Sequence, residues 1–126
     1  MARTLDDTFA AVDALDVDGF LAGLSTDVVL TFGNTQSATG HDQVRAACTQ
    51  LWSTIGGVRH RVQDLWNPES DVTVAYVEVD YTRLDGTVVT VPCVDILRWK
   101  GDVVADWRVV IDIAPVFAPA DGTVQA

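Results

Sequence analysis

Residues 72–113 read VTVAYVEVDYTRLDGTVVTVPCVDILRWKGDVVADWRVVIDI. Apolar and polar side chains alternate over most of this stretch, the period of strands whose two faces differ. Asp85-Gly86 and Lys100-Gly101 interrupt it, and each is a short hairpin signal. Three consecutive antiparallel strands follow: about Val72 to Leu84, Val88 to Trp99, and Val103 to Ile113. Pro92 falls inside the middle strand, where proline is disfavoured, so a bulge or bend is expected there.

If each hairpin has two loop residues, Tyr76 faces Asp95, Glu78 faces Cys93 and Asp80 faces Val91. Across the next turn Cys93 faces Arg108 and Val89 faces Asp112. One face then collects Tyr76, Glu78, Asp80, Asp95, Arg108 and Asp112 among valines and Leu97. The other carries Val77, Val79, Tyr81, Val94, Ile96, Trp107, Val109 and Ile111. The mixed face is expected to form a pocket wall under the helices. The apolar face then needs a partner, a second copy of the chain, because so large an exposed apolar patch is rare on monomers. The reverse assignment stays open.

Upstream of the hairpins the period is helical. Leu5, Phe9 and Val12 follow Thr4 as N-cap, and a short second helix carries Phe20, Leu21 and Leu24. A strand spans Val28 to Phe32. A third helix presents Val44, Cys48, Leu51, Trp52 and Ile55 and is expected to end at Gly56-Gly57. A strand from Val58 places His60, Val62, Asp64 and Trp66 on one face, which makes a His60–Asp64 couple conceivable. Helices followed by hairpins make an α+β domain.

The 126 residues suit one domain, with an ordered core over about 5–117 and a loose tail. A net charge of -10 disfavours nucleic acid and anionic membranes as partners. Asp6, Asp7, Asp13, Asp16, Asp18 and Asp27 are expected on solvated helix faces and caps. No stretch is long and apolar enough to span a bilayer, and the amino terminus lacks a signal-peptide pattern, so a cytoplasmic protein is expected. Cys48 and Cys93 read as buried thiols. The spacing of His41 and His60 offers no zinc site. Trp52, Trp66 and Trp99 read as core or pocket lining.

The order Phe20-Leu21, Asp27-Val28-Val29, Gly40-His41, His60, Asp85-Gly86, Val91-Pro92, Trp107-Arg108 and Asp112 resembles that of bacterial SnoaL-like proteins. These belong to the nuclear transport factor 2-like superfamily, with ketosteroid isomerases, limonene-type epoxide hydrolases and polyketide cyclases. The resemblance implies a cone-shaped, curved, mainly antiparallel sheet with about three N-terminal helices enclosing a pocket.

Val91-Pro92-Cys93-Val94-Asp95 is similar to the isomerase stretch that holds a protonated aspartic acid, which implies an oxygen-polarising role for Asp95. The isomerases' shuttling aspartate would fall at Phe32-Gly33 and their tyrosine at Thr8. Asp80 and Asp112 match the two aspartates of the epoxide hydrolases, and Asn34 their asparagine. The hydrolases' arginine and tyrosine positions hold Glu78 and Phe32. Acid–base chemistry on a mostly apolar small molecule is implied, without a cofactor: isomerisation, cyclisation, dehydration or epoxide opening. Asp80, Asp112 and Asp95 are the catalytic candidates. Asn34, Tyr76, His60, Glu78, Arg108, Phe32 and Trp52 are the substrate-binding candidates. The other reading is a non-catalytic dimeric module that binds a small ligand or only associates.

Overall fold

A computed structural model describes residues 4–118. Helices α1 (Leu5–Asp13) and α2 (Val17–Ala22) lead into strand β1 (Leu24–Phe32) and the short β2 (Ala38–Thr39). Helix α3 (Gly40–Trp52) precedes β3 (Gly57–Glu69), β4 (Val72–Thr82), β5 (Val88–Lys100) and β6 (Val103–Ile111), and a 3₁₀ turn, Ala114–Phe117, follows. The six strands form one curled, unclosed sheet in the order β2-β1-β6-β5-β4-β3. Every pairing is antiparallel except β1 with β6, so the sheet is mixed. The α+β class and helix count agree with the reading from sequence.

Thr4 caps α1 with a capping box: its hydroxyl accepts from the Asp7 N–H, and Asp7 accepts from the Thr4 N–H. At the other end Asp16 N–H reaches back to the Ala11 carbonyl, with Leu15 at φ 53°. This is a Schellman-type stop with leucine where glycine is usual. Helix α3 ends at Trp52, earlier than expected. Ser53 and Thr54 hydroxyls donate to the Gln50 and Leu51 carbonyls there. Gly56 has no left-handed backbone; it lies where the chain passes the Arg83 carbonyl, which a Cβ would meet at 3.1 Å.

The register corrects the expected faces. The first hairpin loop has three residues, Leu84-Asp85-Gly86, between Arg83 and Thr87, with Gly86 alone left-handed at φ 89°. Tyr76 therefore faces Val94, Glu78 faces Pro92 and Asp80 faces Thr90. In the second hairpin Lys100 faces Val103, and a bulge between Arg98 and Trp99 sets Asp95 against Val109 and Ile96 against Arg108. A one-residue slip turns a strand over relative to its neighbour. Two odd slips in succession leave β4 and β6 with their expected parity and turn β5 alone.

The helices cover the face bearing Ala75, Val77, Val79 and Tyr81 of β4, Val91, Cys93, Asp95 and Leu97 of β5, and Trp107 of β6. All nine are buried. The apolar set expected to await a partner is thus mostly core, and the mixed set lies outside except for its β5 members, among them Asp95, Val91 and Leu97. Tyr76, Glu78, Asp80 and Arg108 share that outer face with Val94 and Ile96. Pro92 causes no bulge, since the β4–β5 register runs through it unbroken. It sits just beyond Cys93, whose partner Ile111 is the last of β6, so no β6 residue stands opposite it. A bulge between Val62 and Asp64 moves Asp64 and Trp66 to the outer face, leaving Trp66 52% exposed rather than lining the core.

Candidate active site

Between the helices and the inner sheet face lies a cavity of about 70 Å³. Its walls are apolar and aromatic: Phe9 from α1, Phe20 from α2, Leu51 and Trp52 from α3, Phe32 from β1, and Val79 from β4. Three ionisable side chains with oxygen or nitrogen atoms join them: His60, Tyr81 and Asp95.

His60 is held by Asp13, the last residue of α1. One Asp13 oxygen stands 2.6 Å from His60 Nδ1, and both carboxylate oxygens accept from the His60 backbone N–H at 3.1 Å. A carboxylate is an acceptor only, so Nδ1 carries a proton, and in the neutral ring it is Nε2 that bears the lone pair. Phe9 stacks on the imidazole at 4.5 Å between centroids, nearly parallel. Hydrogen bonds and stacking together fix both the ring plane and the tautomer.

Asp95 is 2% exposed. Its Oδ1 accepts from Trp107 Nε1 at 2.9 Å and its Oδ2 from the Cys93 thiol at 3.7 Å. Desolvation pushes its pKa upward, against the Trp107 bond, the attraction of a charged His60 and the Cys93 bond. Burial and the neighbouring Asp95 charge also raise the Cys93 thiol, and burial, Cys93 and Asp95 raise the Tyr81 phenol. Cys48, on the cavity wall, is pushed by burial to about 11, so neither thiol is an activated nucleophile.

The sequence candidates separate into three places. His60, Asp95, Phe32 and Trp52 line the cavity. Asp80, expected beside Asp112, lies on the outer face instead: Arg61 donates to it twice at 2.8 Å and Thr90 once at 2.6 Å. Those bonds lower its pKa to about 2, the level of a structural ion-pair partner. Tyr76 donates to Glu78 at 3.1 Å and does not meet Asp95. Arg108 approaches Asp106 at 3.7 Å and does not meet Glu78. Asn34 and Asp112 border an external groove beyond the end of β6, where Asp112 accepts from the Ala114 N–H. The His60 partner is Asp13 rather than Asp64.

Asp13, expected on a solvated helix face, instead turns to His60. The signal that distinguishes it is its place four residues after Phe9, next to the buried stripe. Tyr81 and Trp107 belong to the expected apolar face, and the observed turning of β5 is what brings Asp95 into their company. No group of three or more His, Cys, Asp or Glu that could hold a metal ion occurs among the described residues.

Comparison with known proteins agrees with this architecture. An NTF2-like protein of unknown function from Burkholderia pseudomallei superposes with a TM-score of 0.80 at 20% identity, over 90% of this chain and 91% of that one. A protein of ketosteroid isomerase-like fold from Catenulispora acidiphila, in complex with trimethylamine, gives 0.81 at 16% identity over 95% and 96%. TerC, co-crystallised with polyporic acid, gives 0.77 at 18% identity over 90% and 92%. No curated protein sequence matches the chain. The SnoaL-like domain pattern matches residues 5–107, from the first residue of α1 to Trp107 in β6, and the chain belongs to the SnoaL-like family.

Proposed function

We propose that the chain is a small-molecule enzyme that performs acid–base chemistry on a mostly apolar carbonyl compound, as an isomerase, cyclase or dehydratase. The observation that carries this is the pairing of an oriented histidine with a buried carboxyl group in one apolar cavity. His60 Nε2 is the base. It takes a proton from a carbon beside the carbonyl, the C–H electrons form a carbon–carbon double bond, and the carbonyl electrons move to oxygen. Asp95, kept towards its protonated form by desolvation, donates a hydrogen bond to that oxygen. Asp13 holds the imidazolium that results.

Return of the proton to a different carbon completes an isomerisation. Loss of a β-hydroxyl, protonated by His60, completes a dehydration. Epoxide opening by Asp80 and Asp112 has less support, since Asp80 is engaged by Arg61 outside the cavity. Two neighbours of the same fold are described with small molecules bound, which accords with a ligand pocket here.

The test is solvent-deuterium exchange into a panel of cyclic enones and β-hydroxy ketones, followed by NMR. Wild type is expected to exchange or convert at least one member. His60→Gln and Asp95→Asn are each expected to lower that rate by about 10²- to 10⁴-fold, and Asp13→Asn by less. Equal rates in all four proteins would overturn the assignment.

The proposal includes a second copy of the chain as partner, across the outer sheet face. Trp66, Val74 and Ile96 form one cross-strand row there, and Tyr76, Val94 and Val110 the next. Trp66 and Val110 are more than half exposed, which suits burial against a like surface.

A further inference from the structure

The cavity around His60 and Asp95, at about 70 Å³, is far smaller than the roughly 300–1,000 Å³ typical of small-molecule sites. It can enclose a reacting group, not a whole substrate. A cleft of about 520 Å³ lies beside it, between α3 and the 114–117 turn. Leu30, Phe32, Cys48 and Leu51 are walls of both spaces. The two spaces therefore adjoin, with residues of β1 and α3 between them.

We infer that this cleft is the second half of the ligand site, and that the ligand is an elongated, uncharged molecule. Its carbonyl end sits between His60 and Asp95, and its apolar tail lies along α3. The inference rests on the catalytic reading above and specifies the substrate class. The apolar lining of the cleft adds Ala47, Ile113 and Phe117, and its polar lining adds Thr35, Gln36, Gln50 and Thr54. Among the described residues no charged side chain lines it, in a chain whose net charge is -10. An anionic tail finds no cation there and a cationic tail no carboxylate, whereas neutral hydroxyl or carbonyl groups find amides and hydroxyls. Phe117, 51% exposed, is the wall such a tail would cover. The external groove past β6 shares only Phe32 and Ile111 with the cavity and carries the Asp112 carboxylate, so it fits a neutral tail less well.

The experiment titrates neutral 2-alkanones of five to eleven carbons into the full chain, by calorimetry and NMR. Affinity is expected to rise about threefold for each methylene that enters the cleft. Ala47→Phe and Gln50→Phe, on exposed positions of α3 that border the cleft, fill it without touching the cavity. In a variant that retains the wild-type circular dichroism spectrum, the affinity ratio of nine- to five-carbon ketones should fall by about tenfold or more. A flat series in wild type, or an unchanged ratio in both variants, overturns the inference while leaving the His60–Asp95 reading to its own test. A steep series with no turnover of any carbonyl compound leaves the cleft standing and removes the catalytic reading. Failure of every ketone to bind removes both. A change in sedimenting mass in Ala47→Phe, with a flat series, assigns the cleft to a second copy of the chain and also overturns it.

Discussion

β4 and β5 present two faces built from alternate residues of the same strands, and the faces treat an aspartate in opposite ways. Inside, Asp95 has little solvent and few donors, so desolvation raises its pKa. Outside, Asp80 has two bonds from Arg61 and one from Thr90, and its pKa falls to about 2. A carboxylate surrounded by donors supports the fold. One surrounded by valine and tryptophan has its charged form disfavoured at a cost to the fold, a pattern common at functional sites.

The sharpest way to break this contrast is to place the same charge on each face. Val77 is fully buried and Val94, on the neighbouring strand, half-buried outside. Val77→Asp is expected to cost more than about 4 kcal/mol, and Val94→Asp about 1 kcal/mol or less. Urea denaturation of the two variants measures the difference, and similar costs would mean that the faces are assigned wrongly.

The next effect is a gain. Asp95 has a raised folded pKa, so its favourable contribution is full below its ordinary value of 3.8 and is lost as pH rises through the folded value. Asp95→Asn should therefore stabilise the protein at pH 8, by about 1 to 3 kcal/mol, and the gain should vanish below about pH 4. Thermal melts across pH 3–8 give the sign directly. Loss of stability at pH 8 would contradict it.

Asp80 runs the other way. Its folded pKa is depressed, so its contribution is present above 3.8 and disappears as pH falls through about 2. Its side chain is 21% exposed and that of Arg61 40%, so water and salt weaken the pair. Asp80→Asn should cost about 1 kcal/mol at pH 7 and progressively less as pH falls below 3.8 towards 3, in the same melts.

The smallest effect on folding lies at the exposed outer row. Trp66→Ser and Val110→Glu should change monomer stability by about 0.5 kcal/mol or less. They should nevertheless convert a wild-type particle of twice the 13.6 kDa chain mass into one of single mass. Sedimentation at micromolar concentration decides this, and a monomeric wild type removes the outer face as a self-association surface.

The architecture was legible because it depends on periods and caps, which neighbouring residues set. Thr4, the α3 stripe and the alternation from Val72 to Ile111 all signal locally. The site was only half legible, because which residues share a face depends on single-residue events at a distance. Asp85-Gly86 suggests a two-residue turn, but only Gly86 is left-handed here, and Asp85 instead accepts from the Thr87 N–H and hydroxyl. The bulges after Val62 and Arg98 carry no comparable signal in composition. Asp95, His60, Phe32 and Trp52 nonetheless reach the cavity. The Asp13–His60 bond, between residues 47 positions apart, depends on how α1 docks on β3.

That docking ties the orientation of His60 to the enclosure of the cavity. Asp13 is the last residue of α1, Phe9 is one turn before it, and Leu15 just beyond holds a left-handed bend that leucine adopts at a cost of roughly 1 kcal/mol. If α1 swings away to admit a molecule, His60 loses both the carboxylate that sets its tautomer and the ring that sets its plane. The imidazole is then free to turn, and its basic nitrogen is no longer aimed. Under the proposed chemistry His60 would regain its aim only when α1 lies back on the sheet, so the latch that closes the chamber would also arm it.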